Sequence, residues 1–348
     1  MPHHAFHGGR RGFIAGAAGL AAASLCRPAI AQGSLDSVRF SCDFRIYGGT
    51  APFFYGLDKG YFREAGIEAR VDGAAGSAEA VTRVASGTYE FGCADISTVA
   101  EFAGRNPQAA PRVLMPIYDR FAAAIISPKS RGLDSFAALR GKTVGTGQSD
   151  APSRILPSLL QRLNIPADSF NRVAVDIKLR DTMLLQGRVD AVVGMDYTVL
   201  FNLLGGGLPP AQVNCIYFAD NGFDFYGQGL IVNQEVLARN PDLCRRMAVA
   251  VTRCWTGAAR DPDGSIDSMM RREGLSDRNV ERQRQQWVLD RLILTPNVRR
   301  NGIGAYDEAR LRSGLAILAE GFQMQNPPTV EQVFDGRFIP DAALRRVA

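Results

Sequence analysis

From Val38 to about Val232, short β-branched or apolar runs alternate with stretches whose apolar positions recur at helical spacing. This pattern predicts an α/β chain with mainly parallel sheets. Val38 to Asp43, Ile67 to Val71 and Phe91 to Ala94 read as the first three strands. A helix starts at Ala51-Pro52, where proline suits the first turn, and ends at Gly60, with Tyr61 and Phe62 packing beneath it. Ser77 to Ser86 reads as the second helix. Ala122 to Ser127 and Thr143 to Thr146 open a second group of strands; Asn214 to Phe218 and Tyr226 to Val232 supply further ones, the latter able to carry the chain back to the first group. After Asn233 the pattern becomes helical, with Leu243, Met247, Val251 and Ala258 on a core-facing stripe and Trp255 beside it.

One device occurs twice. Ser86-Gly87-Thr88-Tyr89-Glu90 leads through an apolar strand into Asp95, and Gln186-Gly187-Arg188-Val189-Asp190 leads through another into Asp196. In each, glycine can end a helix in the left-handed conformation and an acidic residue sits in the turn. Gly87 and Gly187 stand 100 residues apart, which predicts an equivalent unit in each of two lobes. Ligands of open α/β sheets bind beyond the carboxyl ends of the strands, where both aspartates fall. The plainer role for either is to cap the following helix. Gly147-Gln148-Ser149-Asp150 likewise runs into a helix with Pro152 near its start, a junction that presents backbone N–H groups and side-chain oxygens.

The N-terminus reads as an export leader: Arg10-Arg11-Gly12-Phe13-Ile14, an apolar stretch from Ala15 to Leu25, and Ala29-Ile30-Ala31 before Gln32. The paired arginines suggest the twin-arginine machinery, with cleavage near Ala31 and a periplasmic destination. About 11 apolar residues are too few to span a bilayer, which takes roughly 20. Leu25 stands where a lipobox needs a small residue, which rejects a lipid anchor on Cys26. All three histidines (His3, His4 and His7) belong to this leader. Its removal also takes Arg10, Arg11 and Arg27 and no acid, so 37 basic residues face 35 acidic ones and the net charge falls from +5 to +2. The basic balance therefore makes no case for nucleic acid.

Without histidine there is no Ser-His-Asp triad, no Cys-His pair and no histidine-based metal site. The cysteines Cys42, Cys93, Cys215, Cys244 and Cys254 are odd in number and form no Cys-x-x-Cys pair, which gives no metal site and no disulfide framework. An oxidising compartment permits one bridge, but their apolar neighbours favour buried thiols. Gly205-Gly206-Gly207 precedes Pro209-Pro210 with no helix start behind it, so it is a loop and not a phosphate cradle. No cofactor or metal is expected, and paired carboxylates such as Asp43 and Asp196 are the one catalytic device left open.

The run from Ala51-Pro52-Phe53-Phe54-Tyr55-Gly56-Leu57-Asp58-Lys59-Gly60 to Tyr61-Phe62-Arg63-Glu64-Ala65-Gly66-Ile67-Glu68 resembles the first-helix signature of a group of ABC-transporter periplasmic substrate-binding proteins. That group takes nitrate, sulfonates, taurine and the pyrimidine precursor of thiamine. The likeness continues through Ser86 to Gly92, Leu139 to Gly145 and Gln186 to Ala191, and covers roughly residues 38 to 260. It implies a type II periplasmic binding protein, two α/β lobes joined by two crossover strands that close over a small-molecule ligand. It also implies delivery to a membrane permease, and a monomer. The expected layout is residues 36–121 with 226–348 in one lobe and 122–225 in the other, with hinges near Tyr118 to Ala122 and Asp224 to Tyr226. Asn221-Gly222-Phe223-Asp224-Phe225-Tyr226-Gly227 resembles the pyrimidine-precursor branch. Relatives that synthesise the pyrimidine carry a cysteine cluster and active histidines, which are absent here, so the expectation is a binder and not an enzyme. A synthase or other cleft enzyme, and a sensory protein without a transporter, are the alternatives.

Strand ends supply the candidate ligand contacts. Asp43, Phe44 and Tyr47 follow the first strand, Thr50 starts the first helix, and Asp95 and Ser97 close the third strand. Gln148, Ser149, Asp196 and Tyr197 come from the second lobe, while Asp224 and Tyr226 come from the hinge. Rings with several acceptors suit a flat, nitrogen-bearing solute such as a pyrimidine-like heterocycle. Ser149 at a helix N-terminus would instead suit a sulfonate or other small anion.

Overall fold

A computed structural model describes residues 35–147 and 151–347. The segment read as a leader, with its arginine pair, its histidines, Cys26 and the Ala31 junction, lies outside the described residues, as do Gln148 and Ser149.

Ten strands form two five-stranded sheets. β1 (Asp36–Ser41), β2 (Ile67–Asp72), β3 (Phe91–Asp95), β4 (Arg112–Pro116) and β10 (Gln228–Val232) make the first, in the order β2-β1-β3-β10-β4. β5 (Ala123–Pro128), β6 (Thr143–Thr146), β7 (Asn171–Ala174), β8 (Ala191–Met195) and β9 (Val213–Tyr217) make the second, in the order β7-β6-β8-β5-β9. The two orders correspond position by position. β1 and β6 pair in parallel with both neighbours, but β10 runs antiparallel to β3 and β4, and β5 antiparallel to β8 and β9. The sheets are therefore mixed, each with four strands running one way and one reversed. The reason is topological: β5 and β10 are the strands that arrive from the other lobe, so each enters its sheet from the opposite end.

The two crossings run side by side. Phe121 N–H donates to the Phe225 carbonyl, and Gly227 N–H donates to the Tyr118 carbonyl, both at 3.0 Å. β4 and β7, which periodicity did not pick out, are edge strands. β4 ends in Pro116, which an edge accepts, and β7 is a largely exposed four-residue strand.

Three elements repeat at a constant offset of 100 residues. Helix Ser77–Ala85 matches Ile177–Leu185, β3 matches β8, and helix Ile96–Arg105 matches Asp196–Gly205. Gly87 and Gly187, at φ 73° and 69°, take the left-handed turn that a side chain would strain.

One apolar core runs beneath both sheets, with Trp255 of helix Pro241–Arg260 fully buried against Phe53 and Tyr118, edge to face at 5.8 and 5.7 Å. The C-terminal helices cover both lobes. Helix Arg278–Val288 ties Gly48, whose N–H donates to Glu281 Oε2 at 2.6 Å, to the Tyr197 carbonyl, which accepts from Arg284 Nη1 at 2.6 Å. The described cysteines are free thiols, and only Cys215 is not fully buried. No helix among the described residues is long and apolar enough to cross a membrane.

Gly229 of β10 lies in close contact with the chain behind it, since a Cβ there would sit 2.7 Å from Val113 Cγ1 and 3.1 Å from both Ile96 Cγ1 and the Met115 carbonyl. Gly229→Ala should therefore cost about 1–3 kcal/mol through overpacking, read as a lower urea midpoint at unchanged slope.

Candidate functional site

The carboxyl ends of β1, β3 and β8 meet across a cavity of about 290 Å³. The first lobe contributes Asp43 and Phe44 from the turn after β1, Asp95 from the end of β3, Thr98, and the start of helix Ser77–Ala85. Its face is polar and acidic. The second lobe contributes Ala151, Ile177, Met195, Thr198, the Tyr197 ring and Arg180. Its face is mainly apolar, and its one cation among the described residues is already paired, because Arg180 Nε donates to Asp181 Oδ1 at 2.8 Å.

Asp43 is buried beneath this cavity. Cys93 Sγ lies 3.8 Å from its Oδ1, and Gln228 donates to its Oδ2. Gln228 Nε2 also reaches the Tyr197 hydroxyl at 3.2 Å, so one amide of β10 links the two lobes' site residues. Burial, reinforced by the neighbouring Asp95 carboxylate, pushes the Asp43 carboxyl up to about 8. Asp95 accepts from Ser77 Oγ at 3.3 Å, and its own N–H donates to Ser77 Oγ at 3.1 Å. The Glu79 carboxylate is engaged by Arg83 and by the Ala75 N–H, both at 2.6 Å. Behind the cavity Tyr47 stacks on Tyr197 at 6.3 Å and Tyr118 meets Tyr197 edge-on at 5.8 Å. Burial holds all three phenols well above their ordinary range.

Of the residues singled out from sequence, Asp43, Phe44, Asp95 and Tyr197 meet at this cavity. Tyr47 supports it from behind. The Thr50 hydroxyl is turned onto the Tyr47 backbone, accepting from its N–H at 3.1 Å and donating to its carbonyl at 3.0 Å. Ser97 is fully buried and does not line the cavity.

Asp196 faces away from the cleft, with Tyr217 Oη donating to it at 2.8 Å and Trp287 Nε1 at 2.9 Å. In the structural register Asp95 corresponds to Met195 and Asp196 to Ile96, one residue later than the sequence pairing assumed. A slip of one residue along a strand end reverses the side chain's direction. Burial pushes Asp196 up to about 6, opposed by the bonds from Trp287 and Tyr217. Asp224 is exposed and pairs with Arg310 at 2.7 Å, and the Tyr226 hydroxyl accepts the Asp307 N–H at 2.7 Å. Both therefore engage the C-terminal helices and not the cleft.

Sequence reasoning missed Gln228, Ser77, Thr98, Thr198 and Arg180. The 100-residue offset was the available signal, since applied to Ser77 and Thr98 it leads to Ile177 and Thr198, and all four line the cavity.

Two α/β lobes joined by paired crossings around a cleft are the fold of periplasmic binding proteins. Residues 49–265, more than half of the chain, match the NMT1/THI5-like family model, and the chain belongs to that family. It is 25% identical over 332 residues to the riboflavin-binding protein RibY of Chloroflexus aurantiacus, covering 92% of this chain and 91% of that one. Among solved structures, the periplasmic aliphatic sulphonate binding protein SsuA of Escherichia coli superposes with a TM-score of 0.66 at 11% identity, covering 86% of this chain and 92% of that one. The alkanesulfonate-binding SsuA of Xanthomonas axonopodis, bound to MOPS, gives 0.61 at 13% identity, covering 85% and 95%. These structural likenesses concern the fold.

The raised Asp43 value has a consequence for stability. Below the ordinary carboxyl value of 3.8 both folded and unfolded chains hold the proton, and between there and about 8 only the folded chain does. Stability therefore falls as pH rises through that window and levels off above it. Asp196 acts in the same direction only up to about 6, so the decline between about pH 6 and 8 reports on Asp43. Asp43→Asn should flatten that part of a plot of unfolding midpoint against pH.

Proposed function

We propose that this protein is the exported solute-binding component of an ABC importer, and that its cleft captures a flat heterocycle presenting N–H donors and hands it to a membrane permease. The reading rests on one observation above all: two carboxylates, Asp43 and Asp95, share the small inner cavity, and among the described residues the only cation lining it, Arg180, is paired with Asp181. A carboxylate pair accepts hydrogen bonds, so it selects donors and repels anions. Phe44 and the Tyr197 ring supply flat apolar surface beside the acceptors. The riboflavin bound by the RibY relative has this chemistry, an aromatic ring system with an imide N–H, and a pyrimidine-like ring shares it.

A sulfonate, the cargo of the SsuA structures, would meet two acids where it needs donors. Capture and not turnover is proposed because the family match is joined by relatives that bind solutes, RibY and the SsuA proteins. The twin-arginine leader accounts for a periplasmic location.

A thermal-shift screen of the protein without residues 1–31 tests the reading. A bound heterocycle at 100 times its dissociation constant should add about 2.7 kcal/mol of stability, and alkanesulfonates, which bring no donor, should add clearly less at the same concentration. Asp95→Asn should weaken heterocycle binding by about tenfold or more, because a hydrogen bond to a charged acceptor is lost. Asp196→Ala should act differently, costing about 2–4 kcal/mol of stability by stranding the Tyr217 and Trp287 donors. Sulfonate shifts in place of heterocycle shifts, or turnover of a heterocycle, would defeat the proposal.

A further inference from the structure

The inner cavity continues outward into a second one of about 950 Å³, and Phe44, Ala75, Ile177, Arg180 and Thr198 line both. The chemistry changes along this path. The outer chamber carries Arg45, just beyond β1, and Lys178, on the helix that follows β7. Neither cation has an ion-pair partner among the described residues. The carboxylates nearby are occupied: Asp181 by Arg180 and by Asn202 Nδ2 at 2.7 Å, and Asp176 by the backbone N–H of Lys178 at 2.8 Å. The described lining thus shifts from three carboxylates (Asp43, Glu79, Asp95) against Arg180 at the inner end to three cations (Arg45, Lys178, Arg180) against Asp176 and Asp181 at the outer end.

We propose that the outer chamber is an anion subsite, and that the solute carries an anionic tail, a phosphate monoester, held between Arg45 of one lobe and Lys178 of the other. This rests on the reading of the inner cavity as a heterocycle site. The gradient fixes the orientation of such a solute, since the reverse placement would set its anion against Asp43 and Asp95. A tail held by residues from both lobes also ties the lobes together when the solute is bound. Guanidinium and ammonium groups at a cleft mouth suit phosphate oxygens, which accept several charge-assisted bonds at once.

Calorimetric titration of the leaderless protein with riboflavin and with riboflavin 5′-phosphate tests this. A second pair, an aminopyrimidine alcohol and its phosphate ester, covers the smaller ring. The phosphate ester should bind about tenfold more tightly than its parent, an advantage that shrinks at high salt because both cations are exposed. In an Arg45→Ala, Lys178→Ala double variant the ratio of the two affinities should fall to about one. A ratio near one in the unaltered protein, or a ratio that survives the double substitution, overturns the anion subsite and leaves the heterocycle reading standing. Failure of both pairs to bind overturns the heterocycle reading and the subsite with it.

Discussion

Two carboxylates buried beside one another, without a free cation between them among the described residues, are the constraint on which the rest of this cleft depends. Asp43 and Asp95 come from β1 and β3, neighbouring parallel strands whose carboxyl ends open on the same cavity. In water such a pair would ionise freely. Here burial and mutual repulsion lift Asp43 to about 8, so at neutral pH the site holds a proton that solvent would have removed. Gln228 and Cys93 temper this without cancelling it. A hydrogen-bond donor placed beside the pair would favour its charged form.

The fold provides this arrangement through two corresponding units whose cleft faces differ in chemistry. The matched strand orders and the constant offset give each lobe a helix start, a strand end and a threonine aimed at the cleft: Ser77, Asp95 and Thr98 in one, Ile177, Met195 and Thr198 in the other. At equivalent positions one lobe is acidic and polar while its counterpart is mainly apolar. Helix Arg278–Val288 holds the rings behind them, with the Arg284 guanidinium 5.5 Å from the Tyr47 centroid and bonded to the Tyr197 carbonyl.

Much of this was legible in the sequence, and the losses have physical causes. Strand ends gave Asp43, Phe44, Asp95 and Tyr197, because an apolar run that stops at a polar residue marks where a parallel strand opens. Asp196 was misdirected, since side chains alternate along an extended chain and a register uncertain by one residue cannot tell cleft from core. Asp224 and Tyr226 were placed by their nearness to a crossing, yet helix Glu308–Gly321, far along the chain, supplies Arg310 to cover both. Gln228 and Arg180 were missed because each is buried through long-range partners that no local pattern encodes. The strands that reverse each sheet were recognised as strands, but their direction follows from the path of the whole chain.

Proton linkage on binding measures the carboxylate pair most directly. Riboflavin titrated into the leaderless protein at pH 7, in two buffers of different ionisation enthalpy, reports the protons exchanged. An N–H donor that stabilises the charged form of the Asp43 and Asp95 pair should release up to about one proton per ligand bound, and Asp43→Asn should abolish the release. Binding without any proton release, or proton uptake on binding an alkanesulfonate in its place, would contradict a cleft built to receive a donor.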